Sequence, residues 1–530
     1  MTDGPPDNSR AASGPGDGPA VDPHLATEDL NGDLRVRSVH GGAVIMLGQA
    51  SKLLLTIAAT AALARLIEPA DFGLFAMVTA ITNFIARFRN LGLSGATVQR
   101  AEVTHAQIST LFWINVGFGT ALGLIVVAVA PLVSAFYDEP RLTAITCALA
   151  VTFPLSGLTV QHQALLRRRM RFGAFAVVDV LALLVSIAAA VVAAYGGLRY
   201  WALVLQQGVL ALGLAVGVWI ACGWRPGPPM RHAGVRSMVA FGGNLTGAEL
   251  LNAAVRQLDK MLIGRCFGKE PLGFYSKAFQ LLLLPIQQIG LPVTQVAVST
   301  LSRLQNDPPR FRAFYCQGLQ VMAAAGMPIV VFMFVVAEDV ILTVLGPRWG
   351  ETVPLFRMLA PAAFVGSFNM ATGWLYVSLG QANRQLRWVL FSSVVIAVAI
   401  VVGLQWGPLG VAAGFSIAVC GLRPFGLMYC VRTTPVTLWQ IVGMLWQPAA
   451  TAAASGLLLY LFTRTLPAEW SALPRLVAEV GVYAGGYAVA WLAVPGGPRT
   501  VRGLIALLMQ VRRGGTLNGS NARQSESETQ

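Results

Sequence analysis

The chain has 530 residues, of which 55% are hydrophobic and only 12% charged, and its mean hydropathy is +0.63. Soluble domains carry about 25% charged residues, so composition excludes a soluble protein and points to an all-α polytopic membrane protein. The net charge of +14 does not mark a nucleic-acid binder, because the basic residues sit in short loops between apolar runs and form no exposed basic face.

Residues 1–38 are rich in Gly, Pro, Asp and Ser, cannot bury enough apolar surface to fold, and read as a disordered tail without the layout of a signal peptide. After them come about fourteen apolar runs of membrane-spanning length. Their approximate limits are 41–66, 70–93, 109–134, 142–163, 173–195, 201–223, 238–266, 271–302, 313–336, 352–379, 386–406, 409–431, 439–463 and 475–494. The stretch 498–511 carries Arg499 and Arg502 beside an apolar face of Leu504, Leu507 and Leu508, and reads as an amphipathic segment on the inner leaflet. The end of the chain is again tail-like. The six cysteines form no CxxC pair and the five histidines show no metal-ligand spacing, so no metal or cofactor is expected.

Loops after even-numbered spans carry Arg100, the run Arg167-Arg168-Arg169-Met-Arg171, Arg225, Arg303, Arg310, Arg312, Arg384 and Arg432. Loops after odd-numbered spans are richer in acids, among them Glu68, Asp138, Glu139, Glu270, Glu338 and Asp339. The bias places the even loops and both termini in the cytoplasm.

Two stretches about 200 residues apart look like copies. Gln49, Lys52, Thr56 and Thr60 precede Leu63-Ala-Arg65 and Gly73-Leu-Phe75; Glu249, Asn252, Arg256 and Lys260 precede Ile263-Gly-Arg265 and Gly273-Phe-Tyr275. Span one thus matches span seven, six crossings later, which predicts a parallel repeat of two six-helix lobes plus two extra helices. The expected divisions are an N-lobe over 39–224, a C-lobe over 225–433, the two extra spans over 434–497, and the amphipathic segment and tail over 498–530.

At 100° per residue, Glu249, Asn252, Arg256, Asp259 and Lys260 share an arc of about 100°, and the span-one residues one of about 80°. Span two adds Thr79, Thr82, Asn83 and Arg87; span eight adds Lys277, Gln280, Gln288 and Gln295. An ionised residue at mid-bilayer costs about 2.5–3.5 kcal/mol on insertion scales, so these stripes are expected to face water between the lobes. The competing reading pairs Arg256 with Asp259 in a packed helix interface. Cations in such a cavity suit an anion, with Lys52, Arg65, Arg256, Lys260, Arg265 and Lys277 as candidate phosphate ligands. Arg65 and Arg265, near helix ends, read equally as interfacial anchors. Gln49, Thr56, Asn83, Asn252, Gln280 and Gln288 complete the polar lining, and Glu249 and Asp259 are the candidates for ion coupling.

Leu63-Ala-Arg-Leu-Ile-Glu-Pro-Ala-Asp-Phe-Gly-Leu-Phe75, Asn90-Leu-Gly-Leu, Val98-Gln-Arg100 and Ser109-Thr-Leu-Phe-Trp-Ile-Asn115 resemble the Wzx-type polysaccharide flippases, in their WzxC-like branch. So do Gln163-Ala-Leu-Leu-Arg167, Asp259-Lys-Met-Leu-Ile-Gly-Arg265, Leu272-Gly-Phe-Tyr-Ser276 and Leu301-Ser-Arg-Leu-Gln305. The resemblance runs from about residue 40 to about 430 and implies the multidrug/oligosaccharidyl-lipid/polysaccharide exporter superfamily, with two lobes in a V around a central cavity. It implies flipping of an undecaprenyl-pyrophosphate-linked oligosaccharide across the bacterial inner membrane, with membrane lipid, a polysaccharide polymerase and chain-length proteins as further partners. No Walker A or DxD-type motif appears, so no bond chemistry is expected. A multidrug cation exporter, a pathway enzyme and a non-transporting scaffold are the alternatives; the first would need an acidic cavity, the second a large catalytic loop or domain.

Overall fold

The computed structural model describes residues 34–88, 97, 103–230, 257–467, 470, 472–494 and 497. Among these there is no strand, and eleven helical segments are long and apolar enough to cross a membrane. One of them, Ala382–Val431, is a folded-back pair. Span seven is described only over the helical stretch 257–267, and the amphipathic stretch 498–511 lies outside the described residues.

The first group of helices comprises α1 (Leu34–Leu66), α2 (Pro69–Phe88), α3 (His105–Tyr137), α4 (Arg141–Ala150), α5 (Thr152–Arg168), α6 (Phe172–Tyr195) and α7 (Tyr200–Cys222). The second comprises α8 (Lys269–Arg303), α9 (Pro308–Val335), α10 (Ala337–Val344), α11 (Thr352–Gly366), α12 (Asn369–Ser378), α13 (Ala382–Gly403) and α14 (Gly407–Val431). Two further helices, α15 (Leu438–Thr463) and α16 (Ala472–Ala493), follow; α15 packs on α9 and α16 on α15. α1 begins at Leu34, so the last five residues of the expected tail are helical. Local chemistry sets several boundaries. Thr104 with Gln107, and Thr437 with Gln440, form reciprocal capping boxes at the starts of α3 and α15. Gly407, at φ 72°, supplies the left-handed turn that folds α14 back on α13.

Spans four and ten are each broken. Pro154 has no N–H to give the Ala150 carbonyl, and the helix parts at Val151. In span ten the break falls at Ser367 and Phe368, where buried Ser367 turns its hydroxyl back onto the Phe364 carbonyl at 2.7 Å. The first break falls after ten helical residues and the second after fifteen.

The two groups meet chiefly along α2 and α8. A Cβ on Gly73 would lie 1.6 Å from the Lys269 carbonyl oxygen, and one on Gly273 would lie 2.1 Å from the Pro69 carbonyl oxygen. The contact is reciprocal: each glycine faces the first residue of the opposite helix. In a membrane apolar side chains gain nothing by leaving lipid, so close backbone approach at small residues carries the association. Trp349 donates from its indole nitrogen to the Ala64 carbonyl at 3.0 Å and Arg65 to the Thr343 carbonyl at 2.7 Å, both from one group to the other.

Substitution of Gly73 by Val is expected to lower the melting temperature of the purified protein by several degrees, because backbone atoms of α8 must move away. Gly117→Val, where nothing lies within 4 Å of the added Cβ, is the matched control in a thermal-unfolding series; equal shifts for the two would dismiss the crossing as the main contact.

Candidate functional site

A cavity of about 480 Å³ opens within the first helical group, between α2, the α4–α5 break and α7. Its lining includes Thr79, Thr82 and Asn83 from α2, Thr152, Ser156, Thr159, Gln163 and Arg167 from span four, and Gln207 from α7, with Phe75 and Phe153 as apolar walls. The five hydroxyls hydrogen-bond to carbonyls of their own helices: Thr79 to Ala76, Thr82 to Val78, Thr152 to Leu149, Ser156 to Phe153 and Thr159 to Ser156. Each donor is thereby committed and each oxygen keeps lone pairs for a ligand. Arg167 is exposed and its guanidinium stands 5.2 Å from the Phe175 ring centre. None of the lining residues is acidic.

Span four carries the stripe that sequence reasoning missed. Thr152, Ser156, Thr159, Gln163 and Arg167 recur at intervals of three and four, the signature already applied to spans one, two, seven and eight. In the sequence Arg167 reads as part of the topogenic charge of its loop. Of the expected polar residues, Asn83 reaches this cavity, with Thr79 and Thr82 beside it.

The other expected residues that the structure describes lie elsewhere. Lys52 is held by Asp179 of α6 at 2.6 Å, with both side chains half-buried, so its charge is already answered. Thr56 donates to the Lys52 carbonyl, and Gln49 is half-buried on the same helix. Arg65 and Arg265 are exposed near helix ends. Asp259 is buried; the Tyr275 hydroxyl donates to its Oδ2 at 2.7 Å and the Lys260 backbone N–H to its Oδ1 at 2.8 Å. The Lys260 ammonium stands 5.5 Å from the Phe279 ring centre. Lys277 is buried at the seam, 4.1 Å over the ring of Phe72, and donates to Gln280 Oε1 at 3.2 Å. Gln280 is exposed, and half-buried Gln288 leaves its Oε1 without a hydrogen bond among the described residues. Glu249, Asn252 and Arg256 lie outside the described residues.

The end of the molecule rich in acids is closed by charge as well as by packing. Arg199 bonds Glu68 at 2.6 Å and Asp71 at 3.2 Å within the first group. Glu139 accepts from Arg141 at 2.7 Å and from Lys269 of the opposite group at 2.9 Å. The hydrogen bond from Arg141, reinforced by the bond and charge of Lys269, holds the Glu139 carboxyl below the usual carboxylate range despite partial burial.

A helical membrane protein whose halves join at one end, with a polar cavity reaching into one half, has the build of a transporter. The chain belongs to the polysaccharide biosynthesis protein family, whose profile matches residues 62–354. It is 24% identical over 396 residues to lipopolysaccharide biosynthesis protein WzxC of Escherichia coli strain K12, spanning 73% of this chain and 79% of that protein. It is 23% identical over 418 residues to teichuronic acid biosynthesis protein TuaB of Bacillus subtilis strain 168, spanning 78% and 86%. Among solved structures, the lipid II flippase MurJ in an inward closed conformation superposes with a TM-score of 0.66, covering 86% of this chain and 99% of that one at 13% identity, and shares the fold. The family resemblance read from the sequence is thus borne out.

A carboxyl whose folded pKa is depressed contributes stability that is present above its unfolded pKa, about 4.3, and is lost as pH falls through the folded value. The Glu139–Lys269–Arg141 cluster is therefore expected to stabilise the closed end by about 1 kcal/mol at neutral pH. In thermal melts, the gap between the unmodified protein and Glu139→Gln should be open at pH 7 and narrow progressively as pH falls below the unfolded carboxyl's pKa; a gap that stays constant through that fall contradicts the assignment.

Proposed function

We propose that the protein carries an undecaprenyl-diphosphate-linked oligosaccharide across the bacterial inner membrane by alternating access, without making or breaking a bond. The observation that carries this reading is the cavity's chemistry: hydroxyl and amide side chains, two aromatic walls, one arginine and no acid. Neutral acceptors and amides suit sugar hydroxyls, and the planar guanidinium of Arg167 suits phosphate oxygens. A cation exporter would need the opposite charge. A volume of about 480 Å³ falls in the range of small-molecule sites, about 300–1,000 Å³, which fits the first sugars of a repeat unit while the rest stays in water and the polyprenyl chain in lipid. Family membership and a flippase-like fold agree with this reading.

In this reading the basic loops face the cytoplasm, the acid-rich end faces outward and is shut, and cargo enters from the cytoplasmic side past Arg167. Asp259, buried beside Tyr275, is the group through which an ion gradient acts. If Asp259→Asn in proteoliposomes flips cargo at the same rate with and without an imposed proton or sodium gradient, while the unmodified protein responds to one, the coupling role stands; a variant that still responds removes it.

The central test is flipping of a fluorescent diphosphate-lipid-linked sugar by the full-length protein in proteoliposomes. A charge-assisted hydrogen bond contributes about 1.5–3 kcal/mol, so Arg167→Gln should slow flipping roughly tenfold or more. A fluorescent lipid lacking the sugar and diphosphate should not be moved. Undiminished flipping by Arg167→Gln would remove the phosphate role of that residue, and no flipping by the unmodified protein would remove the proposed function.

A further inference from the structure

Phe72 of the first helical group is seated in a socket built by the second. Its ring lies under the Lys277 ammonium at 4.1 Å and meets the Trp349 ring edge-on at 5.4 Å, while Phe274 buttresses Trp349 at 5.9 Å. Trp349 is fully buried and is itself tied back to the first group through the Ala64 carbonyl. The socket adjoins the Gly73–Lys269 crossing, so it forms part of the seam that holds the acid-rich end shut.

Lys277 is the anomalous member of this socket. It is only 8% exposed, yet among the described residues no carboxylate lies within ion-pair distance of it. Its partners are one ring face and one neutral amide oxygen, which leave donor capacity of the ammonium unused. Gln280, which holds it, is exposed one turn further along α8. The ammonium is therefore one side chain away from open space. A ring quadrupole is a weaker partner for a cation than an oxyanion that also accepts hydrogen bonds.

We propose that Lys277 couples arrival of a diphosphate anion to release of the seam. With no anion present the ammonium rests on Phe72 and the acid-rich end stays closed. A diphosphate that reaches Gln280 draws the ammonium away, Phe72 loses its cation, and the socket loosens. The anion then binds more tightly to the released arrangement than to the closed one, which is the differential affinity that any ligand-driven population shift requires. Lys277 acts here as a positioning residue. The inference rests on the proposed function, because it takes a diphosphate-bearing cargo as the ligand.

The test is a distance measurement between spin labels at Leu198→Cys and Glu351→Cys, exposed positions at the acid-rich end of the two groups. It uses the full chain in nanodiscs with the six native cysteines replaced. Undecaprenyl diphosphate and inorganic diphosphate are added in separate arms, and binding is followed in parallel by thermal shift. The protein with Lys277 intact should move a measurable fraction to longer distance with one or both. Response to the inorganic ion assigns the effect to the headgroup alone, and response only to the lipid assigns it to a membrane-anchored headgroup; both support the coupling. Lys277→Met, which keeps the stem and removes the charge, should give a distance distribution that no longer changes when ligand is added, because the cation that answers the diphosphate is gone. Phe72→Leu should show the longer distance without ligand, and it keeps the proposal testable should Lys277→Met not fold. A ligand-induced opening of Lys277→Met as large as the parent's, or a Phe72→Leu protein that stays closed without ligand, overturns the coupling while leaving the proposed function intact. Absence of binding by the parent to either diphosphate overturns both.

Discussion

Close approach of two backbones is the constraint on which the arrangement of this protein depends. Where α2 crosses α8, Gly73 and Gly273 leave no room for even one methyl group, and each faces the opposing helix's first residue. Lipid is as apolar as any side chain, so two helical groups in a bilayer are not pressed together by the hydrophobic effect. They adhere where small residues permit dense contact and where polar groups find partners. This seam has both, because the crossing is flanked by the Trp349–Ala64 and Arg65–Thr343 hydrogen bonds and by the Lys269–Glu139 pair. Each such bond contributes modestly, about 0.6 kcal/mol on average in membrane proteins. The seam is thus a sum of several weak contacts around one close backbone crossing.

Polar groups inside the bilayer are costly, and the protein places them in two distinct ways. In the cavity, hydroxyls return their hydrogens to their own helices, so Thr79, Thr82, Thr152, Ser156 and Thr159 can sit at membrane depth without stray donors. Elsewhere charged side chains rest on local partners: Lys52 is paired with Asp179, Asp259 accepts from the Tyr275 hydroxyl, and Lys277 lies over an aromatic face. The cavity is thus polar with a single cation, Arg167, among its lining residues, while the denser charge lies in packed surroundings.

Much of the fold was legible in the chain. The helical membrane class and the family resemblance came from runs of apolar residues and recurring short motifs. The glycine pair was visible as part of the repeat, although nothing in the sequence says that the two copies touch. The site was less legible. Charges mark the stripes of spans one and seven, whereas the quieter Thr-Ser-Thr-Gln-Arg stripe of span four carries its only charge at a loop. Asp179 was invisible as a partner for Lys52 because 127 residues separate them. Only packing of α6 on α1 brings them together.

By itself the sequence determined that the chain lives in a membrane, which ends of its helices carry positive charge, and to which family it belongs. Those properties follow from hydropathy and local residue order, which need no long-range contact. Tertiary structure alone decided which polar residues share a space. The depth of a residue can be counted along a helix, but the neighbour it meets depends on how helices distant in the chain cross, and that is set by the sum of many small packing terms. Lys52, Lys277 and Arg167 look alike in the sequence; the fold gives one a carboxylate, one an aromatic ring and one an open cavity.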